Sequence, residues 1–154
     1  MADSLHPPVS LYIDLRSRAL HYKDDDAGAQ VRGLVTDIVY DEGIVTIVCL
    51  DDGATSMYTN HGGGIIGAGE HEHVAAVTRR VIELTQLQLD SMTLTQDEAA
   101  PPIGSVRFFA LSPHGLMTAT VDEEELDSRK HRLSPLFFAI QDVVTELGRV
   151  DPHL

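Results

Sequence analysis

The sequence predicts a single α+β domain in which two antiparallel β-hairpins form one sheet that packs with three to four amphipathic helices. The length of 154 residues suits one domain with its own core. Two pairs of apolar segments flank the turn sequences 51–53 and 112–115. Segments with helical periodicity stand before, between and after these pairs, which is typical of a layered α+β fold. We therefore assign residues 1–154 to one domain.

The N-terminal region predicts a helix after a flexible start. Residues 1–9 are expected to form a flexible N-terminus that includes Pro7 and Pro8. Ser10 can cap a helix over about 11–22, because apolar side chains follow it at helical spacing. The alternation of apolar residues leaves a strand as the alternative at Leu11, Ile13 and Leu15.

The next segment is ambiguous, and the one after it is clear. Apolar residues recur at helical spacing over 31–39, and Gly43 would end such a helix, although frequent β-branched residues leave a strand open. The nearly continuous apolar run 44–50 predicts a central strand covered on both faces. Asp51, Asp52 and Gly53 predict a turn into a returning strand over about 54–59.

The middle of the chain predicts a long helix and a loop. An apolar stripe at helical spacing predicts a helix over about 70–89, with Glu70 and Glu72 near its start. The segment 96–103 contains Pro101 and Pro102, which interrupt regular structure, so we expect an internal loop.

The C-terminal part predicts a second hairpin and a closing helix. Strands are expected over 105–111 and 116–121, followed by a charged loop over 122–132. Ser134 is expected to cap the last helix, with Pro135 in its first turn and Gly148 at its end.

Two adjacent phenylalanines bear on how the sheet is covered. Side chains of Phe108 and Phe109 point to opposite faces of a strand. One of them must therefore face a second layer or a partner chain. We expect helices to cover one face, with the other partly exposed or used in a homodimer.

Composition excludes several classes of function. Asp and Glu outnumber Lys and Arg by 24 to 11, which gives a net charge of −13 and disfavours nucleic-acid binding. No apolar run is long enough for a membrane span, and the N-terminus lacks the features of a secretory signal. One cysteine excludes an internal disulfide and a Cys-rich zinc site. We expect a cytoplasmic, bacterial-type protein without a membrane partner.

The order of the predicted elements carries a resemblance to a known topology. The turn at Asp52–Gly53, the helix from Glu70 and the closing helix from Leu136 give the order helix, hairpin, helix, hairpin, helix. Over about 28–149 this order resembles the profilin-like topology of roadblock and longin domains. The resemblance implies a sheet between helices and a dimeric, non-catalytic regulator of small GTPases, and it transfers no site residue. The sequence also resembles a small bacterial family to which we attach no function.

A glycine-rich loop before the long helix is the first candidate ligand site. It fits the G-x-G-x-x-G pattern, in which backbone N–H groups approach a phosphate. The adjoining strand belongs to an antiparallel hairpin, however, and no Lys or Arg lies between Arg32 and Arg79. We expect a tight structural connection, and the alternative is a ligand-binding loop formed by Asn60, His61, Gly62, Gly63, Gly64 and Gly67.

Histidines on both sides of these glycines are candidate ligands for a divalent metal. Imidazole and carboxylate groups suit transition metals; His61 precedes the glycines, and His71 and His73 after them alternate with Glu70 and Glu72. Residues two apart on a helix do not share a face, so His71 and His73 converge only if the helix begins near Val74. Solvated residues at a helix start are the simpler interpretation.

The remaining chemical groups give little indication of catalysis, and we assign no catalytic residue. Cys49 lies in the apolar strand without a neighbouring base. The acidic run 122–127 precedes the basic run 129–132, so we expect local compensation of charge, with a docking patch as the alternative.

The sequence thus predicts a small acidic protein-binding or regulatory module. We expect it to be a homodimer, and the negative charge favours a basic protein partner. The alternative is a ligand- or metal-binding protein, and possible enzyme, with its site at 61–73.

Overall fold

A computed structural model describes residues 7–23 and 30–152, with side chains from residue 11 onward. The described part is an α+β fold built on one antiparallel sheet of seven strands in the order β4-β3-β2-β1-β6-β7-β5. The elements are α1 (Pro7–Leu20), β1 (Gly33–Tyr40), β2 (Gly43–Leu50), β3 (Thr55–Thr59), β4 (Gly64–Ile65), α2 (Glu72–Leu87), β5 (Thr93–Leu94), β6 (Ser105–Ser112), β7 (Gly115–Asp122), α3 (Glu123–Asp127) and α4 (Ser134–Val150).

The fold class is confirmed, but the sheet has more strands than the two predicted hairpins. The helix predicted over 31–39 is wrong, because this segment is β1 at the centre of the sheet, between β2 and β6. Seven of its eight residues are buried, so apolar side chains occupy both faces and do not alternate with polar ones. Its β-branched residues suit such a strand. The turn at Gly53 is as predicted, with a φ of 92°.

One face of the sheet carries the larger core. The helices α2 and α4 pack against each other and against this face. Phe108 points into this core from β6 and is fully buried. Other members from the sheet are Leu34, Ile47, Cys49 and Ala110.

The second face is covered as well, contrary to the expectation that it would be partly exposed. Helix α1 packs there through Tyr12, Ala19 and Leu20, and Phe109 is fully buried in the same cluster. Both adjacent phenylalanines are therefore accommodated within one chain. The predicted homodimer loses that support and stays a prediction.

Several element boundaries differ from the predicted ones. Helix α1 begins at Pro7, so positions 7–9 are helical, while the rest of the predicted flexible N-terminus lies outside the described residues. Leu133, not Ser134, is the N-cap of α4, because the Ser134 hydroxyl donates to the Leu126 carbonyl at 2.8 Å. Gly148 does not end α4, which continues to Val150.

The charged segment 122–132 also contains a helix that periodicity did not predict. Five residues form α3 directly after β7, and Leu126 is its buried anchor. The segment 96–103 is free of helix and strand, as predicted. Within 7–23 and 30–152, no helix combines the length and apolar character needed to cross a bilayer.

Candidate functional site

Two glycines of the glycine-rich segment lie where a side chain would collide with neighbouring backbone. Gly64 pairs with Tyr58 in the sheet, with a φ of 151°, and a Cβ there would collide with the Met57 carbonyl. A Cβ on Gly69 would collide with the Gly53 carbonyl in the β2–β3 turn. These glycines let two backbone segments approach closely. Gly67 has open space around it, with a φ of 74°.

Other residues of the predicted loop form hydrogen bonds with the adjoining strands and turns. The Asn60 side-chain oxygen accepts from the Ile44 N–H at 3.0 Å, and the His61 ring contacts the Glu42 carbonyl. The Thr59 backbone and hydroxyl hold the turn, because the Gly62 and Gly63 N–H groups both donate to that residue. This loop presents few free backbone donors to a phosphate. Its ligand-binding role stays a prediction from the sequence.

The three predicted metal ligands are not brought together. His71 and His73 lie at the start of α2 with ring centroids 5.9 Å apart, whereas His61 lies beside the β1–β2 turn. His73 Nδ1 is 2.8 Å from a carboxylate oxygen of Glu146 on α4, which fastens the helix ends together. Across residues 7–23 and 30–152, no three His, Cys, Asp or Glu side chains form a group suited to a metal ion.

Cys49 is placed as a core residue. It is fully buried, and burial raises the pKa of its thiol to about 12 despite the neighbouring Thr78 hydroxyl. A thiol protonated at neutral pH is a poor nucleophile. Nothing in its surroundings supports covalent catalysis.

A buried polar row lies beneath α1 and was not predicted from the sequence. Asp37 lies on β1 with no exposed surface, directly opposite Thr46 and Arg107 on the two neighbouring strands. It accepts from the Thr46 hydroxyl at 2.7 Å and from Arg16 Nη2 of α1 at 2.7 Å. Tyr12 of the same helix contacts the Thr46 hydroxyl at 2.7 Å. The sequence feature that could have indicated this row is Asp37, a single acidic residue within an otherwise largely apolar segment.

Arg107 continues this row and fixes the segment after β5. Its guanidinium donates to the Ala99 carbonyl at 2.7 Å and the Asp97 carbonyl at 3.1 Å. It also lies over the Phe109 ring, with Cζ 4.5 Å from the centroid. Arg16 thus joins α1 to the sheet, and Arg107 joins the segment 97–99 to it. Because its polar groups are paired and covered, we interpret the row as a positioning network rather than an open site.

An acidic cleft forms where three chain segments meet at one end of the sheet. The end of β1, the turn before β6 and the start of α3 are joined by backbone hydrogen bonds from Gly104 N–H to Val39 and from Glu123 N–H to Gly104. The cleft has a volume of about 420 Å³. It is lined by Ile103, Gly104, Asp122, Glu123, Glu124 and Asp127.

The carboxylates of this cleft have no basic partner among the described residues, and their charges affect neighbouring groups. Burial and the neighbouring charge of Asp127 raise the pKa of Glu123. Burial, Glu123 and Asp127 also raise the pKa of Tyr40, so this ring lies within the same field. In the described part of the chain, no Lys, Arg or His forms an ion pair with an α3 carboxylate. The predicted compensation by 129–132 is therefore not made through direct ion pairs.

Apolar side chains border the acidic ones at this cleft. Ile103 is 65% exposed and Tyr40 is 38% exposed. The acidic run was visible in the sequence as a candidate docking patch. Its apolar neighbours were not, because they reach it from segments distant in the chain.

Comparisons with known proteins identify no relative. No family model matches the chain, and no curated protein or solved structure matches it.

Proposed function

We propose that this chain is a non-catalytic protein-binding module whose acidic cleft at α3 binds a basic surface of another protein. The observation that carries the proposal is the set of unpaired carboxylates beside exposed Ile103 and Tyr40. Mixed acidic and apolar surfaces suit partners that present Lys or Arg around an apolar contact.

The net charge supports the same kind of partner. At −13, the protein attracts positive surfaces over several ångströms and accelerates their encounter. Glu123, Glu124 and Asp127 of α3 would add local specificity, because each lines the cleft and none forms an ion pair in the described part of the chain. Such contacts weaken as salt rises.

The proposal is tested by quantitative affinity capture with a charge-neutralised variant. E123Q/E124Q/D127N removes three negative charges from the cleft and leaves the apolar contacts. We expect at least a tenfold weaker capture of a basic partner, roughly the effect of three exposed charge contacts. The signal of the unchanged protein should also fall between low and high NaCl.

A matched control separates the cleft from the general charge of the protein. D14N/E83Q/D90N removes three exposed carboxylates at other places on the surface. It should retain capture of the same partner. Equal loss with both variants, or no loss with the α3 variant, would contradict a role for the cleft.

Homodimerisation belongs to this proposal as a separate prediction. Both outer strands of the sheet, β4 and β5, have only two residues, which limits edge-to-edge strand pairing. A dimer would therefore use a helical or loop surface. Light scattering after size exclusion should give twice the 16.8 kDa chain mass, and the chain mass itself would contradict a dimer.

A further inference from the structure

A second cleft, with lining residues different from those of the acidic cleft, contains two arginines. It lies between α2 and α4, beside the loop after α3, and has a volume of about 360 Å³. Arg80 of α2 and Arg129 of the loop line it together with Phe138 and Asp142 of α4. Cavities of this size suit small ligands.

The two arginines lack carboxylate partners although the protein is strongly acidic, and in the described part of the chain the exposed Arg18 and Arg132 lack them as well. Elsewhere in the described chain, Arg16, Arg79, Arg107 and Arg149 each form an ion pair. Within that same part, neither arginine of the cleft does so. Asp142 lines the cleft with them but forms no ion pair with either side chain. Both guanidinium groups are therefore available to an external anion.

The backbone at Arg129 provides a second, independent observation. This residue follows α3 in a left-handed conformation, with a φ of 66°, and no other non-glycine residue in the described part has a positive φ. Gly or Asn usually occupies such a position because a Cβ is disfavoured there. A residue held in this conformation can mark a place where its side chain is required.

The side chain of Arg129 is also held in place. Its Cζ lies 4.4 Å from the centre of the Phe138 ring. A guanidinium over an aromatic ring keeps its in-plane N–H donors free for oxygen atoms of a ligand. The ring and Pro135 also give the cleft an apolar wall.

From this geometry we propose a binding site for a small phosphate monoester that carries an apolar group. A phosphate group has three terminal oxygens and nearly two negative charges at neutral pH, so it can accept from both guanidinium groups at once. The apolar group would contact Phe138 and Pro135. A carboxylate has fewer oxygens and one charge, and should bind more weakly. The site is separate from the α3 cleft and does not depend on the proposed protein partner.

The site is tested by nuclear magnetic resonance titration of the full chain with phenyl phosphate, inorganic phosphate and benzoate. We expect saturable shifts at Arg80, Arg129 and Phe138, with phenyl phosphate binding tightest. R80Q/R129G should weaken its binding by at least about tenfold, since charge-assisted hydrogen bonds are lost. Glycine at 129 suits the left-handed backbone.

Two further variants test the charge of the cleft and the specificity of the effect. D142N should strengthen binding about threefold, because it removes a negative charge that faces the anion. R79Q, one residue from Arg80 but paired with Glu72, should change affinity little. Absence of saturable shifts, equal binding of benzoate, or equal weakening by R79Q would overturn the proposal.

Discussion

Asp37 shows how one buried side chain fastens two layers of the protein. It receives hydrogen bonds from Arg16 on α1 and Thr46 on β2; Asp37 and Thr46 have no exposed surface, and Arg16 is partly buried. A buried carboxylate is tolerated because these partners compensate its lost hydration. The pairing specifies where α1 lies on the sheet more than it adds net stability.

Replacement of Asp37 should therefore be strongly destabilising. Asp37→Ala leaves the Arg16 guanidinium and the Thr46 hydroxyl without their acceptor. We expect the free energy of unfolding to fall by about 3 kcal/mol, as for other broken buried pairs. Urea denaturation followed by circular dichroism measures it. The exposed-acid control Asp14→Asn should change it by less than about 0.5 kcal/mol, and a similar small effect of Asp37→Ala would contradict the role of the network.

The glycines before α2 provide a test of their structural role. Gly69→Ala places a methyl group against the Gly53 carbonyl and should cost about 2 kcal/mol through overpacking. Gly63→Ala is the matched control, since its nearest contact would be 3.6 Å from the Thr59 hydroxyl. Thermal unfolding compares the two. Equal stability of both variants would instead favour a glycine loop kept for a ligand.

At the level of elements, α1 is attached less firmly than α4. Among its described side chains, Tyr12, Ala19 and Leu20 are buried, whereas α4 contributes seven buried residues. Elements with less buried apolar surface open at lower free energy. Hydrogen bonds from Arg16 to Asp37 complement these apolar contacts and fix the position of α1 on the sheet.

Native-state hydrogen exchange should reveal this difference. Amides of α1 are expected to be less protected than those of α4, and Arg16→Ala should lower α1 protection further by at least about threefold. Arg18→Ala, an exposed change on the same helix, is the control. Protection of α1 equal to that of α4, or unaffected by Arg16→Ala, would show that apolar contacts alone hold the helix.

The strands and helices differ in how well the sequence alone predicts them. The run 44–50 predicted β2 because its apolar residues are continuous and bounded by a turn signal. The segment 31–39 has similar residues, but their spacing also fits a helix, and only pairing with β2 and β6 decides for a strand. Helix α3 has five residues and four are acidic, so it is too short for periodicity to register.

The candidate site was predictable only in part, because some of its residues come together only through tertiary packing. Its acidic residues are consecutive in the sequence and could be recognised as a docking patch. Their neighbours Tyr40 and Ile103 come from other segments, and contacts across a sheet end follow from tertiary packing. The unpaired state of Arg80 and Arg129 is likewise a property of the folded chain.

For the whole molecule, the buried ionisable groups predict loss of stability at alkaline pH. Burial raises the pKa of Cys49 from 9.0 to about 12 and that of Tyr58 from 10.0 to about 12. The unfolded chain releases these protons first, so stability is fully present below about pH 9 and falls as the pH rises towards 12. Each group contributes roughly 1 kcal/mol per pH unit.

Urea denaturation between pH 8 and 10.5 measures this slope. Cys49→Ala should make it shallower by about one proton's contribution, although the variant is less stable at every pH. Tyr40→Phe, at a more exposed position, is the control and should change the slope less. An unchanged slope for Cys49→Ala would contradict the burial of the thiol.

The central claim is that the acidic cleft at α3 binds a basic partner, and zero-length carbodiimide cross-linking tests it most directly. This reagent joins a carboxylate to a lysine only when the two are in contact, and mass spectrometry identifies both residues. We expect cross-links from Glu123, Glu124 or Asp127 to lysines of one partner, and we expect them to be lost at high salt. Cross-links to a partner that map only to carboxylates elsewhere, such as Glu83 and Asp90, would contradict it.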